Sequence, residues 1–260
     1  MIKKFLFLFF VYFHSHSFAT PMLQEGETDI DIKCNIEGCN QKYPITATRL
    51  SESKKPNETI LIWLPGGHGQ HLSNGVINLL WGRVNILTAS NPYKILSYGN
   101  GVAVPQAYGK DQPARIRSLI QWAQNQGYKN IYLGGHSNGG ARALGYLIKY
   151  NNHNLNGVIF SATHVNEGSA ALRVDRVQWS IPALVVWHEG DKCETTRPQL
   201  QKRMFKKIKE KNKKMTEGKG IPLEGKSTST CLTGGGHHWY DMNQKDHANI
   251  IFDFMVKNNN

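Results

Sequence analysis

The sequence contains no internal repeat and no long low-complexity stretch, which excludes solenoids and repeat arrays. Beyond its first residues it holds no apolar run approaching the ~18 residues that a membrane-crossing helix needs. Acidic residues are scarce, 19 against 31 lysines and arginines, for a net charge of +12. No nucleic-acid-binding motif accompanies that excess, so charge alone does not argue for such a partner. Much of it is concentrated in Lys202, Arg203, Lys206, Lys207, Lys209, Lys211, Lys213 and Lys214, with Glu210 as the only acid among them. One reading of 202–214 is peripheral contact with an anionic surface. The preferred reading is the wet face of an amphipathic helix that turns Met204, Phe205 and Ile208 inward. Cysteines number four, Cys34, Cys39, Cys193 and Cys231. They lack the paired close spacings of structural zinc sites, and no metal is expected.

The N-terminus is apolar but short. Lys3 and Lys4 precede the block 5–13, and Ser17 and Ala19 occupy the minus-three and minus-one positions of a cleavage site. That order of charge, apolar core and small residues predicts a signal peptide over 1–19 and a secreted or periplasmic mature chain. Export favours oxidation, and an even cysteine count then suggests two disulfides with three formal pairings. The remaining length suits one domain with a substantial core.

Residues 20–58 read as a peripheral lead-in with edge strands at 29–32 and 45–50. From 59 to 260 buried strands and amphipathic helices alternate. The apolar run 59–64 ends in Pro65-Gly66-Gly67, as a buried strand closing in a glycine loop does. Helices are predicted at 74–84, 113–126, 138–150, 197–214 and 244–256. Strands are predicted at 130–133, 157–161, 183–187 and 228–233. Segment 217–229 is read as a surface excursion, and the glycine-rich, aromatic 97–111 as a cleft-lining loop. Such alternation implies an α/β fold, a mainly parallel sheet with helices on both faces.

The run Gly134-Gly135-His136-Ser137-Asn138-Gly139-Gly140 contains Gly-x-Ser-x-Gly between an apolar strand and a small-residue helix start. A serine on so sharp a turn needs strained backbone angles and glycines on either side. Ser137 is therefore the candidate nucleophile, and the amide of Asn138 lies where an oxyanion would form. A hydroxyl needs a base, and the base a carboxylate. The strand 183–187 runs into His188-Glu189-Gly190-Asp191, which makes Asp191 the preferred acid and Glu189 its competitor. Gly234-Gly235-Gly236 precedes His237 and His238; His237 is preferred as base. The second oxyanion donor is assigned to the amide of Gly67 or His68, worth ~3 kcal/mol of barrier if well placed. That loop lacks the lysine of a phosphate loop and the spacing of a dinucleotide fingerprint. Cys193 and Cys231 flank the acid and base loops, so pairing them, with Cys34 to Cys39, is the preferred connectivity.

The order Ser137, Asp191, His237 on alternating strands and helices resembles the α/β-hydrolase family, especially small exported esterases of the dienelactone-hydrolase and feruloyl-esterase type. The resemblance covers 59–260. It implies a carboxylic ester hydrolase acting through an acyl-enzyme without metal or organic cofactor. Only 162–182 separates the strands between which a helical cap often sits, so little or no lid is expected. Thioesterase or peptidase action with the same residues, or a binding module on a hydrolase scaffold, are the alternatives.

Overall fold

The structure is a computed structural model. It describes residues 26–41, 45–54, 57–66, 75–89, 110–150, 154–165, 173–212, 215–222, 227–230, 237–240 and 244–259. In the last of the strand segments, 227–230 and 237–240, only the backbone is described.

Among the described residues eight strands form one sheet: β1 (Glu27–Lys33), β2 (Ile45–Ser51), β3 (Thr59–Leu64), β4 (Asn85–Ala89), β5 (Asn130–His136), β6 (Gly157–Ser161), β7 (Ala183–His188) and β8 (Thr216–Ile221). Their spatial order is β1-β2-β4-β3-β5-β6-β7-β8. The first two pairings, β1 with β2 and β2 with β4, are antiparallel, and every later neighbour is parallel. Among the described residues five α-helices accompany the sheet: α1 (Gly75–Leu80), α2 (Gln112–Asn125), α3 (Asn138–Lys149), α4 (Pro198–Lys211) and α5 (Gln244–Lys257).

Two cores follow from the period-two geometry of the strands. Ile60, Ile62 and Leu64 face one way, with Leu133, Val158, Phe160 and Val185, against α2, α3 and α4. Leu61, Trp63, Tyr132, Ile159, Leu184 and Val186 face the other way, against α1 and α5. Burial on both faces explains why β3, β6 and β7 read as continuous apolar runs. Helix limits carry local causes. Pro113 and Pro198 stand in the first turns of α2 and α4, where a missing N–H costs nothing. Gly127 ends α2 with φ +87°, and its amide bonds back to Gln124.

The antiparallel edge is held by polar contacts. Arg49, fully buried, pairs with Asp29 at 2.8 Å and lies 3.8 Å from Glu27. Cys34 and Cys39 form a disulfide, and the Ser118 hydroxyl of α2 meets Cys34 Sγ at 3.3 Å. The lead-in strands are thus the edge of the same sheet.

Three expectations are corrected. The helix expected at 74–84 stops at Leu80, and the buried strand β4 follows it. The last parallel strand is β8 at Thr216–Ile221, inside the expected surface excursion, rather than 228–233. Segment Ser227–Thr230 forms β9 and pairs instead with β10 (His237–Tyr240) in a separate two-stranded sheet. The reason is that β8 is an edge strand on which only Ile221 is buried, so its Thr-Glu-Gly-Lys-Gly composition carries no apolar signal.

Helix α4 buries Pro198, Gln201, Met204 and Ile208 and turns Lys202, Arg203, Lys206, Lys209 and Lys211 to solvent, the amphipathic division its spacing predicts. Phe205, expected inward, is half-buried against Trp187. Among the described residues no helix is long and apolar enough to cross a membrane. The segment 1–19 lies outside the described residues.

Candidate active site

Ser137 stands between the end of β5 and the first residue of α3, with φ 51° and ψ −116°. Positive φ is uncommon for a side-chain-bearing residue and costs on the order of 1–2 kcal/mol. The turn holds this angle through four hydrogen bonds. The Ser137 amide donates to the Ser161 carbonyl at 2.9 Å, and the Ser137 carbonyl accepts from Gly140, Ala141 and His164.

The neighbouring glycines are required by contact. A Cβ on Gly135 would overlap the backbone of Gly139, one on Gly139 the Leu64 carbonyl oxygen, and one on Gly140 the Thr163 hydroxyl. A Cβ on Gly134 would come within 2.7 Å of the Trp63 ring. The end of β3 therefore lies directly beside the serine, and Gly66 approaches it so closely that a Cβ there would be 3.4 Å from Ser137 Cβ. Asn138 opens α3. Gly67 and His68, the expected second oxyanion donors, lie outside the described residues.

Asp191 follows β7 and is 4 % exposed. Its Oδ1 accepts from the Cys193 amide and its Oδ2 from the Thr196 hydroxyl, each at 2.8 Å. Burial pushes its carboxyl up to about 6, against the lowering effect of those two donors. Glu189 is exposed and points elsewhere: Lys202 donates to it at 2.7 Å and Trp187 Nε1 at 3.0 Å. The Lys202 hydrogen bond, the largest influence, holds its carboxyl below the usual range. Thr196 was not a sequence candidate; a hydroxyl five residues past an acid carries no recognisable signal.

His237 begins β10, but its side chain and that of His238 lie outside the described residues. Cys193 is disulfide-bonded; Cys231 lies outside the described residues. Among the described residues no cluster of His, Cys, Asp or Glu has the arrangement of a metal site.

Segment 162–165 ties Ser137 to the loop that follows β7 and carries Asp191. His164 N donates to Ser137, Val165 N donates to the Thr195 carbonyl at 2.7 Å, and the Gln201 amide clasps Thr163 at both N and O.

The mainly parallel sheet, with a serine on a positive-φ turn after β5 and a buried carboxylate after β7, superposes on solved structures of one fold. The chain has the α/β-hydrolase fold. Est1E from Butyrivibrio proteoclasticus, one of whose structures holds ferulic acid, superposes with a TM-score of 0.61 at 16% identity, over 88% of this chain and 98% of that one. An alpha-beta serine hydrolase homologue from Coxiella burnetii gives 0.57 at 13% identity, over 89% and 96%. A lidless member of the serine hydrolases from Xanthomonas campestris, XC6422, gives 0.54 at 13%, over 78% and 86%. No family model and no curated protein matches the sequence.

The α/β-hydrolase core buries histidines with a measurable consequence. Burial lowers His188 to about 4, His247 well below its ordinary value and His164 below it, so each holds its proton less readily in the folded chain than in the unfolded one. Asp191 works the other way, binding its proton in the folded chain up to about 6. The histidine protons taken up on unfolding outnumber the one that Asp191 releases. Stability is then expected to rise with pH from ~4.5 to ~6. Urea melts across that window check it; a flat or falling profile contradicts it.

Proposed function

We propose that this chain is an exported serine hydrolase that cleaves a carboxylic ester. The observation that carries the reading is the strained Ser137 turn at the β5–α3 junction, since a cost of that kind persists where it serves a site. Ser137 Oγ attacks the carbonyl carbon as His237 takes its proton. Asp191 holds the imidazole in the correct tautomer and stabilises the imidazolium. The developing oxyanion accepts hydrogen bonds from the Asn138 amide, aided by the α3 N-terminus, and from the Gly67 or His68 amide. His237 returns the proton to the leaving alkoxide as the carbon–oxygen bond breaks. Water, deprotonated by the same imidazole, then releases the acid from the acyl-enzyme.

The buried, doubly hydrogen-bonded carboxylate of Asp191 supports its role over the lysine-paired Glu189. The Cys34–Cys39 bond is in keeping with an oxidising destination. Ester substrates are favoured by likeness to Est1E, in which ferulic acid has been bound.

A fluorophosphonate probe tests the reading directly. It is expected to label the full chain stoichiometrically, with the added mass on the peptide carrying Ser137. No label on the folded protein, or label on another residue, overturns it.

A further inference from the structure

The strand face that turns toward α1 and α5 ends, on three successive strands, in polar residues. Counting by twos from Tyr132 on β5, Ile159 on β6 and Leu184 on β7 reaches His136, Ser161 and His188. All three are buried: 5 %, 0 % and 0 % exposed. Helix α5 adds His247 from its first turn, also fully buried. The Ser161 hydroxyl lies between two imidazoles, 3.1 Å from His136 Nδ1 and 3.2 Å from His247 Nε2. The His188 and His247 rings meet edge to face with centroids 5.7 Å apart. A hydroxyl has one proton to give and lone pairs to receive, so it bridges two neutral rings with one bond in each direction.

These groups touch the catalytic turn without belonging to it. His136 immediately precedes Ser137 and is the register partner of Ser161. The Ser161 carbonyl receives the Ser137 amide. His247 stands on α5, which begins at Gln244, four residues after Tyr240 ends the His237 strand. One residue, Ser161, thus grips the nucleophile turn through its carbonyl and the base-bearing end of the chain through its hydroxyl.

We propose that the His136–Ser161–His247 hydrogen-bond line is a brace that sets the nucleophile turn against the segment carrying the base, with Ser161 and His247 as positioning residues. The proposal rests on the serine-hydrolase reading above. The brace acts on the approach of Ser137 Oγ to the imidazole, so its loss slows proton transfer rather than substrate binding. A buried hydrogen-bonded line also resists rearrangement, because each member left unpaired is penalised in so dry a place.

The test compares Ser161→Ala, His247→Leu and His247→Gln in the full chain. Gln keeps a hydrogen-bonding end at the position of Nε2; Leu does not. Readouts are the second-order rate of fluorophosphonate labelling and the kcat and KM for p-nitrophenyl acetate. Ser161→Ala and His247→Leu are expected to slow labelling and lower kcat about tenfold, with KM within about twofold of wild type. His247→Gln is expected to recover kcat to within about threefold. Labelling of folded Ser161→Ala at the wild-type rate overturns the brace. Should that variant not fold, equal labelling rates for His247→Gln and His247→Leu overturn it instead. Failure of the wild type itself to label strikes the proposed function, not the brace, and so separates the two.

Discussion

Replacing Ser137 with alanine is expected to lower kcat/KM for p-nitrophenyl acetate by on the order of 10⁴- to 10⁶-fold while leaving the melting temperature within about 2 °C. The hydroxyl is the only atom lost, and no hydrogen bond that holds the turn uses it: the Ser137 amide and carbonyl make those contacts. A companion variant separates chemistry from strain. Ser137→Gly removes the same nucleophile but accepts φ 51° without cost. It is expected to be equally inactive and about 1 kcal/mol more stable, as relief of a positive-φ side chain predicts. Residual turnover above ~1 % of wild type in either variant rules out Ser137 as nucleophile. A Ser137→Gly chain less stable than wild type would instead show that the turn is not strained in solution.

The second large effect separates two carboxylates two residues apart. Asp191→Asn is expected to lower kcat by about 10³- to 10⁴-fold, and Glu189→Gln by less than about threefold. Asp191 is buried, and both its oxygens accept hydrogen bonds. An amide in its place turns an NH₂ toward a donor and withholds the negative charge that stabilises the imidazolium. Lost hydrogen bonding costs about 1 kcal/mol, offset by relief from burying a carboxylate that already resists ionisation. A small change in melting temperature is therefore expected beside a large change in rate. Glu189 spends its charge on Lys202 at the surface, where a salt bridge is worth little. Steady-state kinetics of the two variants decide the matter; an equal loss in both, or a larger one in Glu189→Gln, makes Glu189 the acid.

How much of this was legible in the chain depends on where burial leaves a compositional trace. Strands β3, β6 and β7 lie inside the sheet with helices on both faces, and their uninterrupted apolar runs announce them. Strand β5 begins the same way, but Gly134 and Gly135 end its apolar signal early, because the space for their side chains is taken by Trp63 and by Gly139. Strand β4, Asn-Ile-Leu-Thr-Ala, is too short and too mixed to separate from the helix before it. Strand β8 has no apolar pattern because it is an edge; its parallel register with β7, Thr216 beside Ala183, exists only once β7 is in place.

Local chemistry made Ser137 readable: a sharp turn that excludes side chains must be written in glycine, and Gly135 and Gly139 are neighbours of the serine in the chain as well as in space. Long-range packing gives Asp191 and Glu189 different surroundings. Both stand on one loop after one strand, and their different fates come from the partners each meets, Thr196 and the Cys193 amide for one, Lys202 for the other. The buried line from His136 through Ser161 to His247 is further still from the sequence. Its members are far apart in the chain, each unremarkable by itself, and they meet because parallel strands in register bring their C-terminal ends together under α5. The one-dimensional chain thus specifies the turn that presents Ser137, while the folded sheet supplies what surrounds it, since contacts between distant segments leave no period or spacing to read.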